Sequence, residues 1–357
     1  MRVTVTGGTG FLGSYLVRDL LAAGATVRVL ARPSPRADRL TAAGVEIVAG
    51  DLRDLASIAL AVKDADIVYH LAAKVGAAPR NDYFETNVGG TENLLAACAA
   101  NGVGKLVYAS SLAVYGPVSE GGRIDEFTGF DDKPQLRDPY SESKIAADRL
   151  VSSFARKTGL PTVILREGII FGPGRGLPAG IFAFRLGNVD VVFGEPANHI
   201  PLNYVENLID AMQAAAASNS ELPQCNPGEN MLDGMYAVVA SACGLREFNV
   251  LDDDDLTLGQ YNRVKRAADG STTYFASGWP LYIASPFAEA LRGVIPMGDT
   301  RLSRHQLRRS LQDRRYDTGR IRRETGWKPR ISLAEGIQRT LKGVRPFAST
   351  DAEVRRK

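Results

Sequence analysis

The first 165 residues alternate short apolar, β-branched runs with longer segments whose apolar residues recur at helical spacing. The strand-like runs lie at 3–6, 27–30, 46–48, 67–70, 106–109 and 162–165, and the clearest helical segments at 12–23, 83–100 and 140–157. Strands that alternate with helices in this way predict βαβ units. Because such crossovers are right-handed, we predict an α/β fold with a doubly wound parallel sheet that binds ligands at the carboxyl ends of its strands.

This alternation ends near residue 170, where Gly172-Pro173-Gly174-Arg175-Gly176 indicates a loop. We predict a first domain over residues 1–170, to which an apolar helix at 203–217 returns. Residues 171–345 begin with mixed segments and become irregular, punctuated by Pro and Gly, from residue 225 onward. We expect them to form mainly a smaller, interleaved C-terminal substrate domain, followed by a tail at 346–357.

Composition agrees with a globular enzyme-sized protein. The chain has 357 residues, of which 45% are hydrophobic and 23% charged, values that exclude a disordered or collagen-like chain. The three cysteines are widely spaced and the three histidines do not cluster with them, so we expect neither a disulfide framework nor a metal site. A reducing, cytoplasmic location is the simplest interpretation. No secretory signal and no long uncharged apolar stretch is present, so we expect no membrane span or export.

The charge is unevenly distributed. The net charge is +3, yet residues 301–330 carry eleven Lys or Arg against three acids. A basic stretch suits nucleic acid or another anionic partner. However, Leu302, Leu307 and Leu311 recur at helical spacing, which favours an amphipathic helix with a solvated basic face. We therefore predict no nucleic-acid partner.

The strongest local signal is a glycine-rich loop between the first strand and the first helix. Gly7, Gly10 and Gly13 repeat at intervals of three. Glycines at these positions permit a tight turn, close approach of a pyrophosphate to the backbone and close packing of helix on strand. The N-terminus of the helix then offers free N–H groups and a positive dipole end to the phosphates. The loop therefore predicts a dinucleotide cofactor.

The ends of the second and third strands bear on the choice of cofactor. An acidic residue after the second strand holds the ribose 2′-hydroxyl of NAD, whereas an arginine accommodates a 2′-phosphate. This chain has Arg32 there, with Arg36 nearby and no carboxylate, which favours NADP(H) and leaves NAD(H) possible. Asp51 follows the third strand and is placed either to bond the adenine amino group or to cap the next helix. Asp54 is the better candidate for that cap.

A phenol and an ammonium lie four residues apart in Tyr140-Ser141-Glu142-Ser143-Lys144. Asp138 and Pro139 mark the start of a helix, so both side chains lie on one helix face. A phenol has an ordinary pKa of about 10. We expect Lys144 and the positive ring of an oxidised nicotinamide to lower that pKa. Tyr140 would then exchange a proton with a secondary alcohol or ketone.

A third catalytic group is expected where a strand ends near this helix. Tyr108-Ala109-Ser110-Ser111-Leu112-Ala113-Val114-Tyr115-Gly116 ends such a strand. On chemistry alone, either Ser110 or Ser111 is suited to bond the substrate oxygen.

Together these motifs resemble the extended short-chain dehydrogenase/reductase family, of the NAD(P)-dependent epimerase/dehydratase type. The similar segments lie at 7–13, 70–73, 87–91, 110–116, 140–144, 165–166, 171–174, 204–207 and 326–329. The resemblance implies a Rossmann fold and a Ser–Tyr–Lys triad, here Ser111, Tyr140 and Lys144, in which the lysine also holds the nicotinamide ribose. It also implies a homodimer formed through residues 87–100 and 140–157.

The resemblance extends the set of expected site residues. Asn87 would help to position Lys144 through the adjoining helix. The residues expected at the cofactor are Gly7, Gly10, Phe11, Leu12, Gly13, Arg32, Asp51, Leu52, Leu71, Ala72, Ala73, Lys74, Asn87, Tyr140 and Lys144. The residues expected at a small-molecule substrate are Ser111, Glu167, Arg175 and Asn203. His70 closes a strand beside the cofactor loop and is interpreted as structural.

Departures from the family pattern reduce the number of activities expected for this chain. Leu112-Ala113 stands where dehydratases of the family carry Asp-Glu, which argues against water elimination. Glu167 stands where proline usually follows the arginine. His199-Ile200-Pro201-Leu202-Asn203 lacks the arginine that many nucleotide-sugar epimerases use for the diphosphate. Arg175, Arg185 or the basic 301–330 stretch are the possible substitutes.

Two substrate classes follow from the resemblance. The leading hypothesis is an NAD(P)-dependent oxidoreductase or epimerase that acts by hydride transfer on a secondary alcohol or ketone of a nucleotide sugar. The alternative is a ketone reductase with an apolar substrate, similar to hydroxysteroid dehydrogenases and dihydroflavonol reductases, which the apolar run at 179–186 supports. A non-catalytic NADP sensor or RNA-binding relative is a third interpretation, which the complete triad disfavours.

Overall fold

The computed structural model describes residues 1–118, 122–180, 183–218, 244–278, 280, 283 and 304–347. The tail predicted at 346–357 lies outside the described residues from 348 onward, as does Leu302 of the predicted basic helix. No helix among the described residues has the length and apolar character needed to cross a bilayer.

Seven parallel strands form the central sheet. In chain order they are β1 (Arg2–Thr6), β2 (Thr26–Ala31), β3 (Glu46–Ala49), β4 (Ile67–His70), β5 (Lys105–Ser111), β7 (Thr162–Glu167) and β12 (Leu245–Val250). Their spatial order is β12-β7-β5-β4-β1-β2-β3. The order reverses between β1 and β4, which is the point where open α/β sheets bind ligands. The predicted doubly wound, Rossmann-type parallel sheet is confirmed.

Helices cover both faces of this sheet. They are α1 (Phe11–Ala22), α2 (Pro35–Ala42), α3 (Leu55–Val62), α4 (Arg80–Tyr83), α5 (Gly90–Ala100), α6 (Pro139–Thr158) and α7 (Val205–Ala217). One apolar core packs α1 and α7 against the sheet and includes Val5, Leu16 and Leu208. The other packs α3, α5 and α6 and includes Ile58, Leu94 and Val151. Strands with apolar side chains on both faces therefore read as continuous apolar runs.

Two helices begin differently from the prediction. The segment predicted as one helix from 83 to 100 consists of α4, a π-helical stretch at Phe84–Gly89 and then α5. The helix predicted from Asn203 begins at Val205, because Leu202–Tyr204 forms strand β11. This strand pairs with β8, Ile169–Phe171. The edge strand β12 was not predicted, because its sequence lies in a region without βα alternation.

The remaining strands lie outside the central sheet, in two smaller sheets, and the remaining α-helices follow β12 in the chain. The strands are β6 (Arg123–Ile124), β9 (Ala183–Leu186), β10 (Val189–Phe193), β13 (Thr272–Ala276) and β14 (Arg315–Tyr316). The helices are α8 (Leu258–Asp269), α9 (Arg304–Leu311), α10 (Gly319–Thr325) and α11 (Leu333–Lys342). Leu307 of α9 is buried, as its helical spacing predicts.

Candidate active site

The glycine-rich loop joins β1 to α1 at the carboxyl edge of the sheet. Gly7 has a φ of 76°, in the left-handed region that favours glycine. A Cβ on Gly13 would collide with the Gly7 carbonyl oxygen, and a Cβ on Gly7 would lie 2.7 Å from the Ala72 nitrogen. The first turn of α1 has no side-chain cap at Gly10, so its N–H groups are free to bind an anion. This loop fits the pyrophosphate of a dinucleotide.

Residues 71–74 follow β4 and lie beside the glycine-rich loop. Asn87, only 2% exposed, links this segment to helix α6. Its Oδ1 accepts the Lys74 N–H at 2.6 Å, and its Nδ2 donates to the Ser143 hydroxyl at 2.9 Å. A single buried amide therefore holds the predicted cofactor segment and the helix that carries Tyr140 and Lys144 in a fixed relation.

Helix α6 begins as its sequence predicts. Asp138 is the N-cap, and its carboxylate accepts the Ser141 N–H at 2.9 Å, while Pro139 occupies the first turn. This start places Tyr140 in the first turn and Lys144 one turn later on the same face. Tyr140 is half-buried and Lys144 is buried.

The Lys144 ammonium is bound to the end of strand β5. It donates to the Tyr108 hydroxyl at 2.9 Å and to the Ala109 carbonyl at 2.7 Å. Burial lowers the pKa of Lys144 to about 8, although the Glu167 and Asp148 carboxylates oppose this shift. Lys144 is therefore a positive charge beside the strand end at neutral pH and loses that charge above pH 8.

The pKa of Tyr140 differs from the sequence-based expectation. Burial raises it above its ordinary value and the Glu167 carboxylate raises it further, whereas the hydrogen bond to Ser111 and the charge of Arg175 lower it. The lowering expected from Lys144 together with an oxidised nicotinamide stays a prediction, and in this structure the Lys144 ammonium is bound to Tyr108 and Ala109 of β5. Tyr140 is therefore a protonated phenol at neutral pH, which makes it a proton donor.

Strand alternation distinguishes the two candidate serines. Ser110 is buried, and its hydroxyl donates to the Asp148 carboxylate of α6 at 2.5 Å. Ser111 alternates to the opposite side, where its hydroxyl lowers the pKa of the Tyr140 phenol. Successive strand residues point to opposite faces, so only Ser111 shares a site with Tyr140.

Glu167 ends strand β7 and is the register partner of Ser111. Its Oε2 is buried and has no hydrogen-bond partner among the described residues. Burial raises the pKa of Glu167 to about 7, and the positive charges of Lys144 and Arg175 limit the rise. Arg175 is exposed and lies 5.7 Å from the centre of the Phe11 ring. Glu167 and Arg175, both predicted substrate residues, therefore place an acidic and a basic group near each other in the candidate site.

The residues predicted near the adenosine half lie at the ends of β2 and β3. Arg32 is exposed directly after β2. Asp51 accepts two hydrogen bonds from the Arg53 guanidinium, at 2.9 and 3.1 Å, and this partner lowers the pKa of Asp51. Asp54, not Asp51, is the N-cap of α3, as the sequence favours. Leu52 is buried beside Gly90.

Asn203 and His70 are hydrogen-bonded to other groups of the protein. Asn203 is fully buried, and its Oδ1 accepts the Gly168 N–H at 2.8 Å, so it holds the backbone that follows Glu167. His70 lies between two threonine hydroxyls, those of Thr6 at 2.7 Å and Thr91 at 2.9 Å. Burial lowers the pKa of His70 to about 3, so its imidazole is neutral.

Sequence reasoning missed three arginines that bind the loop after Ser111. Arg137 donates to the Ala113 carbonyl at 3.0 Å, Arg309 to Leu112 at 3.2 Å and Arg314 to Gly116 at 2.9 Å. The excess of basic residues at 301–330 is visible in the sequence, but nothing in the sequence indicates which carbonyl oxygens accept their hydrogen bonds.

One group of possible metal ligands occurs in the described residues, Asp131, Asp132 and His305. Asp131 already accepts hydrogen bonds from Arg137 and His305.

This fold, with a dinucleotide loop and a Ser–Tyr–Lys set at one sheet edge, defines a nicotinamide-dependent oxidoreductase or epimerase of the extended short-chain dehydrogenase type. The sequence profile of the NAD dependent epimerase/dehydratase family matches residues 3–227. The chain belongs to that family, as its motifs predict.

Similar proteins include enzymes of both predicted substrate classes. A 2-alkyl-3-oxoalkanoate reductase of Stenotrophomonas maltophilia is 32% identical over 351 residues, which cover 95% of this chain and 98% of the relative. A 3 beta-hydroxysteroid dehydrogenase/Delta 5-->4-isomerase of Mycobacterium tuberculosis is 37% identical over 230 residues, 60% of each chain. The structure of UDP-glucose 4-epimerase from Thermus thermophilus in complex with NAD aligns with a TM-score of 0.66 and 25% identity, over 96% of this chain and 98% of that one.

Proposed function

We propose that this enzyme reduces a ketone, or oxidises the corresponding secondary alcohol, on a largely apolar substrate. The observation that carries the proposal is the similarity to a 2-alkyl-3-oxoalkanoate reductase over almost the whole of both chains. This is the alternative of the two substrate classes that the sequence predicts. The nucleotide-sugar class, which the sequence ranks first, becomes the second candidate.

The proposed catalytic residues are Ser111, Tyr140 and Lys144. The nicotinamide supplies or accepts the hydride when it is bound. Tyr140 donates the phenolic proton to the ketone oxygen, because burial keeps this phenol protonated at neutral pH. Ser111 donates a second hydrogen bond to the same oxygen, and the charge of Lys144 stabilises the phenolate that remains after proton transfer.

The partners of the basic residues argue against a diphosphate subsite. Arg185 donates to both carboxylate oxygens of Asp190, at 2.7 and 3.0 Å. Arg309 and Arg314 donate to backbone carbonyls. Two of the substitutes considered for the missing epimerase arginine thus have acceptors within the protein, so an apolar substrate is the better fit.

The second candidate is a nucleotide-sugar epimerase. It is favoured by Arg175, which is exposed at the mouth of the site beside Phe11 and Glu167. The Thermus thermophilus enzyme named above acts on a UDP-sugar. In this candidate Arg175 binds the substrate diphosphate and the same triad serves oxidation and reduction in turn.

We propose NADP(H) as the preferred cofactor, with NAD(H) as the alternative. Arg32 follows β2 without a nearby carboxylate on that strand end. The proposed cofactor residues are those predicted from the sequence, from the Gly7–Gly10–Gly13 loop through Asp51, residues 71–74 and Asn87 to Tyr140 and Lys144. The proposed substrate residues are Ser111, Glu167, Arg175 and Asn203, with residues 171–345 as the main substrate domain.

We also propose that the enzyme is a cytoplasmic homodimer without nucleic-acid partners. The interface would use residues 87–100 and 140–157, as the family resemblance implies. Sedimentation equilibrium of the purified chain tests this, and a monomer mass at micromolar concentration would contradict it.

A substrate comparison tests the activity. Purified enzyme is incubated with NADPH or NADH and one of three compounds, a 2-alkyl-3-oxoalkanoate, a 3-ketosteroid or a UDP-sugar, and nicotinamide oxidation is followed by absorbance. We expect turnover with one of the apolar ketones. Interconversion of UDP-sugars without net cofactor oxidation would instead establish the second candidate.

A further inference from the structure

The segment after the last described helix returns to the glycine-rich loop. Helix α11 ends at Lys342, and Arg345 then extends over the first turn of α1. The Arg345 Nε donates to the Ser14 hydroxyl at 2.9 Å. Its Nη2 donates to the Thr9 carbonyl at 2.6 Å and also to the Gly10 carbonyl. One edge of the guanidinium is thereby fixed to the cofactor loop.

Two further contacts hold this segment in place. The Arg39 Nε of helix α2 donates to the Phe347 carbonyl at 2.7 Å. A Cβ on Gly174 would lie 2.6 Å from the Arg345 Cβ, so the Gly-Pro-Gly loop is shaped to admit the arginine. The segment therefore spans from the loop after β8, across the start of α1, to α2, which follows strand β2.

The charge around Arg345 is positive. Burial lowers the pKa of Arg345, and the neighbouring charges of Arg36 and Arg39 lower it further. Arg36 lies on α2, four residues after Arg32. The Tyr15 phenol opposes this lowering, but a neutral phenol does not compensate a guanidinium. Such a cluster is stabilised when an anion binds between its members.

We propose that Arg345 completes, with Arg32 and Arg36, a subsite for the 2′-phosphate of the cofactor, so that the C-terminal segment determines cofactor specificity. This inference rests on the NADP(H) preference proposed above. The Arg345 Nη1 has no acceptor among the described residues and presents two N–H groups, which suit a phosphate.

The position of Arg345 favours binding of the 2′-phosphate over binding of the pyrophosphate. The pyrophosphate is expected at the N–H groups of Phe11 and Leu12, in the first turn of α1. Arg345 is bound instead to the carbonyl side of Thr9 and Gly10, and its charged neighbours lie on α2. The ribose of a dinucleotide binds at the end of β2, immediately before α2, so the 2′-phosphate is the anion closest to this cluster.

Cofactor titration of three variants tests the proposal. Dissociation constants of NADPH and NADH are measured by quenching of protein fluorescence for the wild type, Arg345→Ala, Arg345→Lys and Lys342→Ala. Loss of a charge-assisted hydrogen bond weakens binding about tenfold or more. We expect Arg345→Ala to weaken NADPH binding by about that factor and to change NADH binding less than about twofold. Arg345→Lys keeps the positive charge but not the planar guanidinium with its paired N–H donors, and we expect an intermediate loss of NADPH affinity.

Lys342→Ala is the matched control, since Lys342 is an exposed cation three residues earlier in the same segment. It should leave the ratio of the two constants unchanged. An Arg345→Ala enzyme that loses affinity for both cofactors equally would overturn the inference, because Arg345 would then act on the pyrophosphate or the loop. The inference would also be overturned if the wild type prefers NADPH and Arg345→Ala keeps the same ratio of NADPH to NADH dissociation constants. That result would leave the proposed cofactor preference intact. A wild type that prefers NADH would overturn both.

Discussion

Ser111 and Glu167 are register partners at the carboxyl ends of two adjacent parallel strands, β5 and β7. Side chains at matching positions of neighbouring strands point to the same side of a sheet. The hydroxyl proposed to bond the substrate therefore has a carboxyl group beside it, with a buried Oε2 that has no partner among the described residues. This pairing makes the ionisation of Glu167 part of the electrostatics around Tyr140.

The first prediction concerns pH. Glu167, with a pKa of about 7, becomes negative as the pH rises through 7, which raises the pKa of Tyr140 and makes it a weaker proton donor. We expect kcat/KM for ketone reduction by the wild type to fall as the pH rises through about 7. In Glu167→Gln this fall should shift towards pH 8, where Lys144 loses its charge. A variant profile that superimposes on the wild-type profile would contradict this role of Glu167.

The second prediction concerns the proton donor. Tyr140→Phe removes the phenolic proton and should lower kcat by at least about 100-fold, the lower range for general acid–base catalysis. The affinity for NADPH should remain within about twofold. Tyr261→Phe is the control, because it removes a hydroxyl bonded to the Pro178 carbonyl at 2.6 Å rather than to the triad. Retained turnover in Tyr140→Phe would remove Tyr140 from the catalytic set.

The elements with local signals could be predicted. The six strands of the first 165 residues were found to within two residues, because they are parallel strands rich in apolar and β-branched residues and, apart from the edge strand β3, largely buried. The start of α6 was found because Asp138 and Pro139 mark it in the sequence. These two features place the Ser110-Ser111 pair, Tyr140 and Lys144 at one edge of the sheet, and the family resemblance then selects Ser111.

Contacts between distant segments could not be predicted. Arg345 meets Ser14 across 331 residues, and no periodicity relates such positions. The partner of Lys144 was missed for a similar reason, because the Tyr108 hydroxyl reaches it only through the packing of α6 on β5. That packing also buries Tyr140, which is why its pKa rises where proximity to a lysine alone suggests a fall.

The third prediction concerns the glycine-rich loop. A Cβ on Gly13 would collide with the Gly7 carbonyl oxygen, and such overpacking costs about 1–3 kcal/mol. Gly13→Ala should therefore lower the melting temperature and weaken cofactor binding at least about tenfold. A Cβ on Gly129 would meet nothing within 4 Å, so Gly129→Ala should change neither quantity. Normal cofactor affinity in Gly13→Ala would show that the loop does not hold the pyrophosphate.

The fourth prediction concerns a buried ion network behind the triad. The Arg166 guanidinium donates to Asp148 at 3.0 and 3.1 Å and to Glu247 at 2.8 Å. Arg166→Met removes the buried positive charge that pairs with both carboxylates and should lower the free energy of unfolding by about 3–5 kcal/mol. Arg2→Met, which breaks the exposed pair with Asp64, should cost less than about 1 kcal/mol. Urea denaturation measures both, and equal losses would contradict the prediction.

The last prediction concerns the pH dependence of stability. Glu126 is buried and accepts the Asn249 N–H at 2.8 Å, and burial raises its pKa to about 7. In the unfolded chain a glutamate titrates near about 4.3. Between these two values the folded state binds more protons than the unfolded state, so the free energy of unfolding falls as the pH rises from about 4.3 to about 7. Burial raises the pKa of Asp252 to about 7 as well, which acts in the same direction.

Glu126→Gln keeps an acceptor for the Asn249 N–H and removes the titration. The fall in unfolding free energy between pH 5 and pH 7 should become shallower, by up to about 1.4 kcal/mol per pH unit for one proton. Glu92→Gln makes the same change of charge at an exposed position of α5 and should leave the slope as in the wild type. Denaturation curves at pH 5, 6 and 7 measure the slope of the unfolding free energy against pH for each variant. An unchanged slope in Glu126→Gln would mean that the carboxyl group is ionised in the folded protein, held so by the Arg320 and Arg166 charges that oppose its burial.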